Sequence, residues 1–212
     1  MKSVMKTIFI GLLFLFSLPV LASSEHNPLL SKVMIDQLEL SDDSAHNWEA
    51  QAWIGNDAQK LWLKTEGERE NQHTKNAEFQ LLYDKPIAEF WDLQVGWRQD
   101  IKPESRNWLT LGVQGLAPYW IESNLALFVG ENNRVAVRAK GEYEFLITQR
   151  WILIPDVELN AGNVMADLQL GVRLHYLIVR EFMPYVGIQW EKTWKPEADE
   201  SGAVVMGVRM WF

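Results

Sequence analysis

The sequence predicts an all-β protein, an antiparallel transmembrane β-barrel of about twelve strands. Three observations lead to this prediction: apolar and polar residues alternate almost throughout, tryptophan is abundant, and the chain beyond its N-terminus has no long apolar run. The 212 residues include 11 Trp, yet 23% of the residues are charged. Because successive side chains of a strand point to opposite faces, each strand can present one face to lipid and the other to a polar lumen.

The composition excludes several classes of protein. The formal net charge of −8 argues against a nucleic-acid-binding protein. The absence of Cys excludes a disulfide scaffold, a thiolate metal site and a cysteine nucleophile. The charged fraction excludes a helical membrane protein, and the apolar content is too high for a disordered chain.

Residues 1–22 are predicted to be a cleaved signal peptide. Lys2 and Lys6 precede the apolar run from Thr7 to Leu18, and Val20-Leu21-Ala22 resembles a cleavage site. The alternative is a membrane-anchoring helix, but such a helix needs about 20 apolar residues. We therefore expect an exported protein, with a short periplasmic segment over 23–32 and a barrel over 33–212.

The strands are predicted from alternation with a period of two. Val135 and Val137 fall on one face of a strand, for example, and Arg138 and Lys140 fall on the other. The same pattern predicts strands at about 33–40, 47–54, 60–68, 76–84, 90–100, 107–116, 120–129, 134–146, 150–160, 166–177, 182–194 and 203–212.

Several features favour a barrel in the outer membrane of a Gram-negative-type cell over a soluble, lipocalin-like barrel, which alternates in the same way. The predicted strands run to about nine to eleven residues, the span that a tilted membrane strand requires. The connections after even-numbered strands look shorter and less polar than the others, as in outer-membrane barrels. The chain ends on Trp211-Phe212, which looks like the terminal signature of such barrels. Many Trp lie towards strand ends and predict two interfacial girdles, one formed by Trp53, Trp62, Trp91, Trp120 and Trp151, the other by Trp48, Trp97, Trp108, Trp190 and Trp194.

The polar face of the predicted strands carries charges of both signs. These charges either form a network of ion pairs that fills a narrow barrel, or make an acidic lumen that attracts cations. The first interpretation is favoured because both signs occur on neighbouring strands. The residues are Glu49, Lys64, Glu66, Glu78, Asp92, Arg98, Glu122, Arg138, Lys140, Glu142, Glu144, Glu158, Asp167, Arg173, Glu191 and Arg209.

A series of short segments carries a resemblance to a known family. The segments are MIDQLEL (34–40), WEAQAWIG (48–55), LWLKTEG (61–67), FWDLQVG (90–96), LGVQGLAPYW (111–120), FVGE (128–131), EYEFLITQR (142–150) and REFMPYVGIQW (180–190). In this order they resemble the copper resistance protein B family of outer-membrane proteins, over residues 33–212. The resemblance implies a barrel that binds copper ions and contributes to copper resistance or homeostasis by sequestration or passage of copper. Its implied partners are outer-membrane lipid and periplasmic copper-resistance proteins.

The resemblance also directs attention to His and Met, whose imidazole and thioether groups are ligands for copper. Family members usually carry a long Met- and His-rich region before the barrel, whereas this chain has only a short segment there, with His26. His26 and Met34 are one candidate pair for a periplasmic copper site; the alternative is an exposed His and a Met packed in a strand. His175 and Met183 are a second candidate pair, inside the lumen, where the alternative is a hydrogen-bonded histidine.

An enzyme and a passive barrel are the other functions to compare with this one. An enzyme is not expected, because His175 and Asp167 form only a fragment of a catalytic site and no nucleophile elbow occurs in the sequence. A passive porin-like or structural outer-membrane barrel without a metal site is the alternative function.

Overall fold

The computed structural model describes residues 28–42, 45–70, 73–163, 166–195 and 198–212. These residues form one antiparallel sheet that closes on itself, in which the first and last strands pair. Among the described residues, no helix is long and apolar enough to cross a membrane. The predicted signal peptide (1–22) and His26 lie outside the described residues.

The twelve predicted strands are confirmed, and all of them follow one another around the barrel. The first begins at Leu30, a little earlier than predicted. The strands are β1 (Leu30–Ser41), β2 (Ala45–Asn56), β3 (Gln59–Glu70), β4 (His73–Ala88), β5 (Trp91–Lys102), β6 (Arg106–Ala117), β7 (Ile121–Gly130), β8 (Val135–Glu142, continued by Phe145–Leu146), β9 (Trp151–Gly162), β10 (Ala166–Tyr176), β11 (Phe182–Lys195) and β12 (Asp199–Trp211).

The barrel is closed by β1 and β12. Met34 lies opposite Trp211, and Leu40 lies opposite Met206. The last residue takes part in the closure, because the backbone N–H groups of Val33 and Phe212 each donate to the other's carbonyl, at 2.9 and 2.8 Å. Closure satisfies backbone groups that would otherwise be left unpaired in lipid, where an open sheet edge is not tolerated.

Strand β8 is interrupted, although the alternation predicted a continuous strand to residue 146. The interruption at residues 143–144 lies opposite Pro155 of β9. Tyr143 donates its N–H to the Pro155 carbonyl at 3.1 Å. Proline has no N–H to return the bond, so the ladder breaks at this point.

The two faces of the sheet differ in chemistry as predicted. Arg138, Arg173 and His175 are only 2–4% exposed and point inward. Large apolar residues cover the outer face, among them Leu63, Leu81, Val95, Leu109, Leu111, Leu125, Leu127, Leu159, Leu170, Val172, Val186, Ile188, Val204 and Met206. The outer surface is therefore suited to lipid, and the charged residues are enclosed.

The prediction of two tryptophan girdles is only partly correct. Trp97, Trp120, Trp151 and Trp194 are exposed, but Trp62 and Trp108 are 8% and 5% exposed and belong to the buried interior. The reason is that side chains of a strand point alternately to its two faces, so a residue two positions from an inward-facing one also faces inward, whatever its type. Trp108 satisfies its indole N–H inside by donating to Asp100 at 2.8 Å, and Trp53 packs on Trp62 at 6.2 Å between ring centroids.

The predicted difference in length between the connections at the two ends is wrong. Strand bounds leave only a few residues between consecutive strands at either end. The strands continue into segments that looked like polar loops, because β-ladders such as that between β3 and β4 extend to Glu70 and His73. Composition still differs: Ile87, Phe90, Tyr119, Trp120, Ile147, Ile178 and Val179 are exposed near the connections on the side of the chain termini.

The cost of a charge on the outer face depends on depth. Leu111 lies in the middle of β6 and is 50% exposed. We expect Leu111→Arg to lower the free energy of unfolding by about 2–4 kcal/mol in lipid bilayers. The matched variant Ile87→Arg, at an outward position near the end of β4, should cost only about 0–1 kcal/mol. Equilibrium unfolding in vesicles measures both, and equal costs would contradict the assignment of this face to lipid.

Candidate functional site

Arg138 of β8 is the centre of an ion-pair cluster inside the barrel. Its guanidinium lies 2.6 Å from Glu66 of β3 and donates two hydrogen bonds to Glu78 of β4, both at 3.0 Å. It also reaches Glu158 of β9 at 3.2 Å and donates to Asn160 at 2.8 Å. A buried charge is tolerated only when it is paired and hydrogen-bonded, and this guanidinium is paired on several sides.

Lys140 lies two residues after Arg138 on β8, so both side chains point inward. The Lys140 side chain reaches across the width of the barrel. Its ammonium group lies 3.2 Å from Glu49 of β2, 2.9 Å from Glu66 of β3 and 3.0 Å from Glu158 of β9. In a ring of twelve strands, β2 lies diametrically opposite β8. Direct contact between side chains of opposite walls means that the lumen is narrow at this level.

Arg209 of β12 makes a third contact across the lumen. Its guanidinium donates to Glu142 of β8 at 2.8 Å and lies 3.6 Å from Glu144 and 3.8 Å from Asp36 of β1. The prediction that paired charges fill a narrow barrel is thus confirmed for these positions.

Aromatic rings and a further guanidinium extend this cluster. Arg98 lies 2.6 Å from Glu78 and 2.8 Å from Asp100. The Phe128 ring is 2% exposed and stacks beneath Arg98 and Arg138, at 4.6 and 5.6 Å from the centroid. A cation over a desolvated ring is attracted by the ring quadrupole. We call Arg98, Arg138, Lys140, Glu49, Glu66, Glu78, Glu158 and Phe128 the closing layer.

A second buried cluster lies on the wall formed by β10, β11 and β1. Arg173 pairs with Glu39 at 2.8 Å and with Asp156, and Glu39 accepts a hydrogen bond from the Tyr185 hydroxyl at 3.1 Å. The Tyr185 hydroxyl can lie here because residue 207 is glycine: a Cβ at Gly207 would be 2.6 Å from it.

A cavity of about 1050 Å³ lies between the closing layer and the barrel end that carries the chain termini. We call this end the terminal end and the cavity the vestibule. Its lining includes Lys32, Phe90, Leu116, Arg180 and Trp211, which lie at or beside the connections of the terminal end. The vestibule also contains the candidate residues Met34, His175 and Met183.

His175 is the most unusual residue of the vestibule. Its side chain is 2% exposed, and its Nδ1 atom has no hydrogen-bond partner among the described residues. The ring packs on Tyr185, its cross-strand neighbour, at 4.5 Å between centroids. Burial of an imidazole nitrogen without a partner is destabilising, and a ligand bound at this atom would remove that cost.

Two thioethers line the same cavity as this histidine. Met183 of β11 is 3% exposed and packs in a cluster with Ile152, Ile154 and Trp211. Met34 lies across from Trp211 and also lines the vestibule. The structure therefore places Met34 in the lumen with the second candidate pair, within β1. Its predicted partner His26 is outside the described residues.

Carboxylates outnumber cations along the vestibule. Asp36, Glu142 and Glu144 surround Arg209, while Glu122 also lines the wall. The described residues contain no group of three or more His, Asp or Glu side chains arranged to hold a metal ion.

Sequence analysis missed a polar cluster on the wall formed by β3 to β6. Asp84 is fully buried and accepts hydrogen bonds from the side-chain amides of Gln94 at 3.0 Å and Gln114 at 3.1 Å. The ammonium group of Lys64 donates to the amide oxygens of the same two residues, at 3.3 and 3.2 Å. Inward parity could have identified each of these residues. Their mutual contacts depend on strand register, which alternation does not give.

The fold is similar to solved outer-membrane barrels: the NanC porin has a TM-score of 0.58 at 11% identity and the KdgM porin a TM-score of 0.52 at 12% identity, each match covering 85% of this chain and 99% of that porin. Copper resistance protein B of Escherichia coli is 41% identical over 203 residues, which are 85% of this chain and 69% of the relative. The homolog from Pseudomonas syringae pv. tomato (strain ATCC BAA-871 / DC3000) is 34% identical over 205 residues, 86% of this chain and 70% of the relative. The family model described as copper resistance protein B precursor matches residues 29–212, and the chain therefore belongs to the copper resistance protein B family.

Proposed function

We propose that this protein contributes to copper resistance by binding a copper ion inside the vestibule, at His175 and Met183. Family membership supports a role in copper resistance, and the barrel neighbours support a location in the outer membrane. The observation that carries the site is the buried Nδ1 of His175, which has no hydrogen-bond partner among the described residues.

The chemistry of the three vestibule residues suits copper. Imidazole nitrogen binds both Cu(I) and Cu(II), and thioether sulfur prefers the softer Cu(I). His175 and Met183 lie on neighbouring strands, and Met34 adds a second thioether to the same cavity. Copper is cargo here, and the surrounding carboxylates increase the local concentration of cations before the ion reaches the site.

The role is proposed to be non-catalytic, with copper held or passed on without chemical change. The predicted export by a signal peptide and the exchange of copper with periplasmic copper-resistance proteins belong to this proposal. We also propose that His26, in the segment before β1, offers copper a first contact outside the barrel, since β1 begins at the terminal end where the vestibule opens.

Removal of the imidazole tests the site directly. We expect His175→Ala to weaken copper binding by at least about tenfold, because one of few ligands is lost. Copper titration of refolded protein followed by metal analysis measures the affinity. His46→Ala, at an exposed position of β2, is the matched control and should leave the affinity unchanged. Equal affinity of wild type and His175→Ala would remove this site, and absence of binding by wild type would favour a passive porin-like or structural barrel.

The thioether is expected to determine the preferred oxidation state. Met183→Leu preserves volume and apolar character but removes the soft sulfur, so Cu(I) affinity should fall while Cu(II) affinity changes little. Competition with a chromogenic Cu(I) chelator under reducing conditions gives the first quantity. Met206→Leu, on the outer face at 57% exposure, makes the same chemical change outside the lumen. A loss of Cu(I) binding of the same size in both variants would contradict the assignment of Met183.

A further inference from the structure

We propose that a groove on the outer face of the barrel, beside the break in β8, binds one phospholipid of the outer membrane. The acyl chain lies in the groove, and the phosphate group pairs with Arg150, in the connection between β8 and β9. This inference rests on the outer-membrane part of the proposed function and not on the copper site. Lipid retention and copper affinity are separate measurements, so either can fail without the other.

The groove lies where β7, β8 and β9 run side by side. Its volume is about 560 Å³, and small-ligand sites have about 300–1,000 Å³ with a mostly apolar lining. The walls are formed largely by aromatic and aliphatic side chains: Tyr119, Ile121, Tyr143, Phe145, Pro155 and Val157. The groove is therefore suited in size and chemistry to a hydrocarbon chain.

Gly141 of β8 leaves the space for this chain. It lies opposite Ser123 of β7 and Val157 of β9, at an outward position. A Cβ at Gly141 would lie 3.4 Å from Val157 and 4.0 Å from Ile121, which are ordinary contacts. At Gly96, by contrast, a Cβ would collide with the backbone of β4. The sheet does not require glycine at position 141, and the missing side chain creates the depression.

The break in β8 borders the groove. Tyr143 and Pro155 both line it, and the Tyr143 N–H donates to the Pro155 carbonyl at 3.1 Å. Pro155 has no N–H to return to the Tyr143 carbonyl, so the ladder between β8 and β9 lacks a hydrogen bond here. A bound chain would add packing contacts where the sheet has lost this bond.

The occupant is expected to be apolar. The two acidic residues that line the groove have inward positions and are paired inside the barrel, Glu142 with Arg209 at 2.8 Å and Asp156 with Arg173. The groove is continuous with the lipid-facing surface, because Val157 lies opposite Leu170 on the outer face. Acyl chains surround this face, and a chain in a concave surface gains dispersion contacts on several sides.

Arg150 provides a partner for the polar end of the lipid. It is exposed, and its guanidinium donates to the Tyr176 hydroxyl at 3.4 Å. That partner is neutral, so the guanidinium can still pair with a phosphate, which it matches in charge and geometry. Trp151 packs on Tyr176 at 4.8 Å between ring centroids, and aromatic residues of this kind are enriched at the membrane interface.

The separation of Arg150 and the groove fits one lipid molecule. Pro155 lies five residues after Arg150 on the same strand, which is about 16 Å at about 3.3 Å per residue. The difference in depth is smaller because membrane strands are tilted. One leaflet contributes about 15 Å of hydrocarbon. With Arg150 at the interface, the groove therefore lies within the hydrocarbon of the same leaflet.

The position of the chain termini indicates which lipid is bound. β1 begins and β12 ends at the terminal end, where Arg150 also lies. An exported chain reaches the outer membrane from the periplasm, so we expect this end to stay in the periplasmic leaflet, which consists of phospholipid. Lipopolysaccharide also has phosphate groups and acyl chains, but it occupies the other leaflet.

Native mass spectrometry of the barrel, extracted from outer membranes in mild detergent, tests the groove. Wild-type protein should retain one phospholipid. Gly141→Leu fills the groove and should retain at least about tenfold less, which corresponds to about 1.4 kcal/mol of lost binding free energy. The control Gly202→Leu adds the same side chain at an outward glycine of β12, where the nearest atom to a Cβ is 3.8 Å away. It should retain the lipid like wild type.

The same measurement tests the phosphate partner. We expect Arg150→Gln to retain about two- to fivefold less phospholipid, the range for an exposed ion pair. Lys85→Gln removes another exposed cation near the terminal end and should change nothing. Equal losses in the two variants would contradict the role of Arg150.

Three results would overturn the proposal: a wild-type barrel without phospholipid, equal retention by wild type and Gly141→Leu, or a retained mass of lipid A in place of phospholipid. A dimer that is lost in Gly141→Leu would show that a second copy fills the groove, and would also overturn it. Folding of each variant is checked by heat-modifiable migration in gels.

Photo-crosslinking of wild-type protein decides the matter if Gly141→Leu does not fold. A phospholipid with a diazirine in its acyl chain, added to the delipidated barrel in detergent, should attach mainly within 141–145 and 155–157. Labelling spread evenly around the outer face would contradict a specific groove.

Discussion

The structure depends on one physical constraint: charges of both signs enclosed in a narrow, closed sheet must pair with one another across the lumen. Lys140 and Arg138 meet this constraint from β8 by contacting carboxylates on β2, β3, β4 and β9. These contacts fill the middle of the barrel. A cavity lies between them and the terminal end, and His175 and the two thioethers line it.

Much of the fold could be predicted from the sequence, because a residue's parity in a strand decides which face it occupies. All twelve strands and the inward position of residues such as Arg138 and Arg173 follow from this rule. Contacts between distant strands could not be predicted, since they depend on strand number and register. The break in β8 required knowing that Pro155 lies opposite it, and the inward direction of Trp62 contradicted the simple expectation that indole rings mark the membrane interface.

The candidate site, too, could be predicted from the sequence only in part. Alternation placed His175 inside the barrel, but it gave no information on whether its Nδ1 atom would find a partner. The position of Met34 beside the N-terminal segment suggested a site shared with His26, and the structure shows that Met34 lines the vestibule and pairs with Trp211. Copper itself is not indicated by composition or periodicity; it enters through family membership. The imidazole and thioether groups that line the lumen are of the kinds that copper binds.

Crystals of the folded barrel soaked with copper would test the central claim most directly, through anomalous diffraction at the copper absorption edge. The account predicts a single strong anomalous peak in the vestibule, within bonding distance of Nδ1 of His175 and beside the sulfur of Met183. A strong peak elsewhere, with none in the vestibule, would contradict it.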